Sequence, residues 1–121
     1  MGLYRYSLSL RLRHSRWEPR LATDALGLTP SRSWRAGDKR ETPNGEPLEG
    51  VYKESYWTAK LVDGSSDVAG LAEVLGACMD KLDPHRAFLL DFRASGGTAE
   101  VFVGWYFPDG NSGDVLEWGL L

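Results

Sequence analysis

Residues 4–13 read YRYSLSLRLR, a run in which apolar and polar side chains alternate position by position. The apolar half of the alternation consists of Tyr4, Tyr6, Leu8, Leu10 and Leu12. A period of two predicts a β-strand with one buried face and one wet, charged face. Such a strand is typical of an antiparallel or mixed sheet that is covered on one side only, because a strand buried on both faces is apolar throughout.

Three segments have the apolar spacing of helices. Pro19 suits the first position of a short helix, and Gly27 suits its C-terminal cap. The strongest helix is predicted over 68–82, where apolar residues form one stripe, after candidate N-caps at 65–67. A third, shorter helix is predicted to begin at Pro84. These helices are the candidates to cover the apolar face of the sheet.

Further strands are predicted from β-branched and aromatic residues. We expect a brief edge strand at 31–35, a long strand at 51–58 and a third strong strand at 99–107. Between them, residues 36–50 contain three glycines and two prolines, and we predict a loop without regular structure. A turn is predicted at 108–111.

The order of these elements predicts an α+β fold. A strand, a helix, a short strand, a long strand, a helix pair and a final strand match the ferredoxin-like (split βαβ) arrangement. The expected architecture is a two-layer sandwich in which a mixed or antiparallel sheet carries its helices on one face. At 121 residues the chain is expected to form a single domain, 1–121.

Composition and charge narrow the function classes. The single cysteine rules out an intramolecular disulfide, and we predict a cytoplasmic protein with no signal peptide or membrane span. Residues 1–40 carry nine basic and three acidic side chains, whereas 41–121 carry five and fourteen. This asymmetry indicates either a basic face for an anionic partner or internal pairing between the two halves. The net charge of −3 opposes nucleic-acid binding, which we do not expect.

The sequence offers little for metal or covalent chemistry. Two histidines far apart and one cysteine on a helical stripe do not make a metal site, and we predict no metal and no cofactor. No glycine-rich phosphate loop or nucleophile elbow is present, so we assign no catalytic residues. Cys78 is expected to pack in the core.

Two clusters, 31–38 and 53–57, place tryptophan beside charged residues. An aromatic plane with an arginine fork is a common way to hold a flat or anionic ligand. The candidate binding residues are Arg32, Trp34, Lys53, Glu54, Trp57, His85 and Trp105. The alternative is that each tryptophan anchors the core, while Arg32 or Lys53 pairs with a neighbouring acid such as Asp38 or Glu54.

Four motifs, taken in order, resemble the bacterial domain of unknown function family 4279. They are 26–38 (LGLTPSRSWRAGD), 53–57 (KESYW), 82–85 (LDPH) and 95–97 (SGG) followed by 102–105 (FVGW). The resemblance spans nearly the whole chain and implies a small bacterial α+β protein without an established activity. It also implies a further helix and strand after 110–113. Residues 114–121 are short for both, so either that last strand is absent or a truncated edge needs a partner to cover it.

These observations leave two functions open. The first is a small protein-binding module of the immunity or regulatory kind. The alternative is a small-ligand-binding protein or enzyme, with a site between the 36–50 loop and the sheet where Arg32, Lys53, Glu54 and His85 converge. Homodimerisation through the unfinished sheet edge is compatible with either.

Overall fold

A computed structural model describes residues 4–66, 71–107 and 110–117. The helices are α1 (Arg20–Leu26), α2 (Leu71–Leu82) and α3 (Arg86–Ala94), and a 3₁₀ turn, Asp83–His85, joins the last two. The strands are β1 (Tyr4–His14), β2 (Arg32–Trp34), β3 (Lys39–Glu41), β4 (Pro47–Val51), β5 (Ser55–Ser66), β6 (Thr98–Phe107) and β7 (Gly110–Glu117). The fold is therefore α+β, as predicted.

The seven strands found in the described residues form two sheets. The main sheet has the order β2-β5-β1-β6-β7, and β3 and β4 form a separate hairpin. Every pairing among the described strands is antiparallel, which decides between the mixed and antiparallel forms expected from the sequence. The strand of alternating residues lies at the centre, where Leu12 faces Trp57 on one side and Ala99 on the other.

The alternation of β1 places one face of the sheet in the core. Leu8, Leu10 and Leu12 are each at most 1% exposed, and they pack with alternate residues of β5 and β6. The helices contribute Ala22, Leu26, Cys78, Leu82, Leu89 and Phe92 to the same core. Burial of these apolar surfaces supplies the main favourable free energy of folding.

The helix predictions hold in their main features. Gly27 ends α1 in a left-handed conformation, φ 67°, and its N–H donates to the Thr23 carbonyl. Cys78 and Leu82 lie on the buried stripe of α2, as expected for a core cysteine. The candidate N-caps 65 and 66 belong instead to β5, because that strand runs farther than predicted. Residues 67–70, including Asp67 and Val68, lie outside the described residues.

Two predictions between 36 and 58 are wrong. The segment 36–50 is not irregular, because it forms the β3–β4 hairpin around a turn in which Gly45 has φ 85°. The strand predicted at 51–58 is broken, since β4 ends at Val51 and β5 begins at Ser55. Tyr52 turns back toward the loop: its N–H donates to the Asp38 carbonyl and its own carbonyl accepts from the Gly37 N–H.

The C-terminal part of the sheet contains a strand, β7, that the sequence did not predict. β7 begins at Gly110 and pairs antiparallel with β6 as far as Glu117, so Gly110 and Asn111, from the predicted turn, belong to this strand. Pro108 and Asp109, in the predicted turn, lie outside the described residues. That the family's last helix and strand are missing stays a prediction.

Candidate functional site

The face of the main sheet opposite the helices carries arginines and aromatic rings. The antiparallel register lines up side chains in rows that cross the strands. One row joins β2, β5, β1 and β6 through Trp34, Tyr56, Arg13 and Thr98. The adjacent row joins the same strands through Arg32, Thr58, Arg11 and Glu100. We call this side the open sheet face.

A stack of three rings occupies the β2 end of the open sheet face. The Trp34 ring lies 4.1 Å from the Tyr52 ring at an angle of 11°, and 4.7 Å from the Tyr56 ring at 30°. The Trp34 indole N–H donates to the Glu54 carbonyl at 3.1 Å. Because Tyr52 follows the β3–β4 hairpin, the stack also fastens that hairpin to the sheet.

Arginine side chains cover two of these rings and a fourth ring. The guanidinium carbons of Arg32 and Arg13 lie 4.8 Å and 5.5 Å from the centres of the Trp34 and Tyr56 rings. Arg11 lies 3.8 Å from the centre of the Phe102 ring. Planar guanidinium groups stack on aromatic faces in this way. We call the whole set the arginine–aromatic surface; it consists of Arg11, Arg13, Arg32, Trp34, Tyr52, Tyr56 and Phe102.

The three arginines differ in how their charge is balanced. Arg13 lies 3.9 Å from a Glu54 carboxylate oxygen and 3.8 Å from one of Glu100. The Arg32 guanidinium donates to the Glu41 carbonyl at 2.9 Å, not to Asp38 as the sequence allowed. Across the described part of the chain, neither Arg32 nor Arg11 forms an ion pair.

Among the seven candidate residues, three meet at this surface. Arg32 and Trp34 belong to it, and Glu54 contacts it through both its carboxylate and its carbonyl group. Lys53 is exposed in the turn between β4 and β5. The sequence did not single out Arg13, Tyr52 or Phe102; the alternation of β1 was the signal for the arginine.

The other three candidates lie elsewhere. Trp57 is fully buried, and its indole N–H donates to the Thr23 hydroxyl. For Trp57 the structure therefore agrees with the alternative that each tryptophan anchors the core. His85 is half-buried in the 3₁₀ turn, and no described hydrogen bond, ion pair or ring contact joins it to the surface. The backbone of Trp105 lies in β6, and its side chain is not among the parts that the structure describes.

Buried Ser55 holds the segments around the surface together. Its hydroxyl donates to the Trp17 carbonyl at 2.6 Å and accepts from the N–H groups of Trp17 and Ala36. These three bonds use the full capacity of a hydroxyl, which has one donor and two acceptor positions. One side chain thereby fixes the start of β5, the loop before α1 and the turn after β2.

A cleft of about 510 Å³ opens beside β2. Its lining includes Glu18, Thr23, Ser33, Trp34, Arg35 and Asp38. Inside it the Arg35 guanidinium lies 3.1 Å from Glu18 and 3.9 Å from Asp38, so the charges of the cleft largely balance one another. The cleft therefore suits a small polar molecule better than a strongly charged one.

His14 and Ser95 are adjacent but do not form a catalytic pair. The Arg16 N–H donates to His14 Nδ1, so the neutral ring carries its proton on Nε2, which donates to the Ser95 carbonyl at 3.0 Å. The Ser95 hydroxyl donates to the Phe92 carbonyl. A base would have to accept the serine proton, and this ring has no acceptor facing it.

The described residues also give no sign of a reactive thiol or a metal site. Burial raises the pKa of the Cys78 thiol to about 11, although the nearby Lys81 ammonium opposes the rise. Within ranges 4–66, 71–107 and 110–117, no group of three or more His, Cys, Asp or Glu side chains is placed to hold a metal ion. The helices described there are also too short or too polar to cross a bilayer.

An antiparallel sheet with helices on one face and arginine and aromatic side chains on the other defines a small α+β domain. Residues 4–119 match the family described as Domain of unknown function (DUF4279). The chain belongs to this family, which agrees with the resemblance found in its motifs. No curated protein and no solved structure matches the chain.

Proposed function

We propose that the protein is a small bacterial, cytoplasmic protein-binding module, of the immunity or regulatory kind, which docks its partner on the open sheet face. The observation that carries this proposal is the arginine–aromatic surface, in which Trp34 stacks on two tyrosines. Tyrosine, tryptophan and arginine are the residues enriched at the energetic centres of protein interfaces.

The surface is also assembled in advance. Arg32 and Trp34 are held by hydrogen bonds to the Glu41 and Glu54 carbonyls, and the rings restrict one another by stacking. Side chains that are already ordered lose less conformational entropy when a partner binds. A sheet face with such side chains suits a protein partner, because it offers contact area across several strands.

The test is a steric block at the middle of the surface. Thr58 lies between Arg32 and Arg11 in the register, so Thr58→Tyr adds bulk there without changing charge or strand propensity. Ser15→Tyr, at an exposed loop position, is the matched control. Circular dichroism first verifies that the tagged wild type, Thr58→Tyr and Ser15→Tyr proteins are folded. Each protein is then used as bait to purify partners from the bacterium of origin.

We expect one protein to be enriched equally by wild type and Ser15→Tyr, and at least tenfold less by Thr58→Tyr. Calorimetry with that protein, once purified, is expected to show the same ranking of affinities. Equal enrichment of every protein by all three baits would contradict docking on the open sheet face.

A second candidate function rests on the cleft of about 510 Å³ beside β2. This volume accommodates a small ligand, and Trp34 and Asp38, from the segment singled out in the sequence, line it. Native mass spectrometry of freshly purified protein tests this alternative, since a retained small molecule adds a defined mass. The same spectrum tests the predicted homodimer.

We further propose that the sheet and helices form a ferredoxin-like (split βαβ) sandwich. Support comes from the order β2-β5-β1-β6, with α1 connecting β1 to β2 and the other two helices connecting β5 to β6. The β3–β4 hairpin and β7 are then additions to that arrangement. A crystal structure with right-handed β1–α1–β2 and β5–α2–α3–β6 connections is the expected result, and a left-handed connection would refute the assignment.

A further inference from the structure

We infer that the partner of the open sheet face presents acidic side chains, at least two of them, to Arg11 and Arg32. This inference rests on the proposed protein-binding function and names the chemistry of the partner. The inference depends on a difference between the arginines of the surface: Arg13 forms ion pairs with acids, whereas Arg11 and Arg32 form none in the described residues.

Charge on the surface is uneven. Arg13 is balanced by Glu54 and Glu100, which lie on either side of it. Arg32 is bonded to a carbonyl and lies 3.5 Å from the Tyr52 hydroxyl, neither of which carries a charge. Arg11 lies over the Phe102 ring and faces Glu100 in the register, but the described ion pair of Glu100 is with Arg13. Among the described residues, the positive charges of these two half-buried guanidinium groups are therefore not paired with an acid. A carboxylate is the side-chain group whose geometry matches the guanidinium fork.

The positions of the two arginines indicate more than one acid. Arg32 and Arg11 both face Thr58 in the register, from opposite sides of β5. Their backbones are therefore two strand spacings apart, or about 10 Å. A single carboxylate cannot bond both groups across that distance if the side chains stay stacked on their rings. The partner then needs separate acidic residues for the two sites.

The contacts of the aromatic rings favour a protein partner over a single-stranded nucleic acid. Binding of bases depends on aromatic rings whose faces are free for stacking. Here Trp34 stacks on both tyrosines, Tyr56 also lies under Arg13, and Phe102 lies under Arg11.

The test uses NMR titration with synthetic probes of known charge. Deca-glutamate is added to ¹⁵N-labelled protein in low salt, and the side-chain Nε–H signals of Arg11, Arg32 and exposed Arg16 are followed. Deca-glutamine is the uncharged control, and a ten-nucleotide oligothymidine is the nucleic-acid probe. Arg11→Gln is compared with Arg16→Gln, which removes the same charge away from the surface.

We expect deca-glutamate to shift the Arg11 and Arg32 signals and not that of Arg16. We expect affinity to fall at least threefold in Arg11→Gln, to stay unchanged in Arg16→Gln, and to be lost in 0.5 M salt, where the Debye length is only about 4 Å. Absence of these shifts, equal shifts with deca-glutamine, equal losses in both variants, or tighter binding of the oligothymidine would each overturn the inference.

Failure of this inference is distinguishable from failure of the proposed function. If Thr58→Tyr abolishes partner capture while deca-glutamate does not bind, protein binding stands and the acidic partner is wrong. If Thr58→Tyr and wild type capture the same proteins, the docking site itself is wrong, whatever the peptides do.

Discussion

Replacing Ser55 by alanine tests whether one hydroxyl holds the segments around the arginine–aromatic surface. The change removes three hydrogen bonds and leaves the Trp17 carbonyl and the N–H groups of Trp17 and Ala36 without this partner. At about 1 kcal/mol for each bond, we expect a loss of about 3 kcal/mol in the free energy of unfolding. With about 2.1 cal/mol/K of unfolding entropy per residue, the Tm is expected to fall by about 12 °C.

Urea unfolding followed by tryptophan fluorescence measures this loss, and Ser31→Ala is the matched control. Ser31 is exposed, and its described hydrogen bond is made by its backbone N–H to the Thr58 carbonyl, which alanine retains. We expect the control to change stability by less than about 0.5 kcal/mol. A Ser55→Ala variant as stable as Ser31→Ala would refute the idea that this hydroxyl organises the region.

Two further predictions concern the core. Gly97→Ala places a methyl group against the Phe92 ring, which packs at 4.7 Å on Trp17, so we expect a loss of about 1–3 kcal/mol. Gly76→Ala, whose new methyl group meets open space on α2, is the control and is expected to gain about 0.5–1 kcal/mol in urea unfolding; similar losses in both would contradict the close contact. The raised pKa of Cys78 predicts alkylation by iodoacetamide at pH 8 at least about a hundredfold slower in the folded than in the unfolded protein. Alkylation of the folded protein as fast as in denaturant would disprove the burial of this thiol. Because the thiol of the unfolded chain loses its proton at lower pH, the free energy of unfolding should also decrease between pH 9 and 11.

The sequence predicted those parts of the fold in which burial repeats with a period. Alternation in β1 identified a sheet with one covered face, and the apolar stripe of α2 placed Cys78 in the core. The β3–β4 hairpin left no such signal, because every residue in β3 and β4 is exposed. Its prolines and glycines therefore indicated a loop. The aromatic residues after Gly50 predicted one strand over 51–58, although β4 ends at Val51 and β5 begins at Ser55.

The candidate site was predicted in part for a related reason. The segments containing Arg32, Trp34 and Glu54 stood out because tryptophan and charge are adjacent in the chain. Arg13 and Phe102 join the surface only through strand register, which brings distant residues together and cannot be read from local spacing. Whether a tryptophan is a core anchor or a surface residue likewise depends on which face of its strand is covered.

The central claim is that a protein partner docks on the open sheet face, and hydroxyl-radical footprinting of the captured complex tests it most directly. Trp34, Tyr52 and Tyr56 are half-buried aromatic residues on that face, whereas Trp17 and Phe88 are half-buried aromatic residues that pack against the core. The account predicts at least fivefold less oxidation of the first three in the complex, and unchanged oxidation of the other two. Unchanged oxidation of Trp34, Tyr52 and Tyr56 in a saturated complex would contradict it.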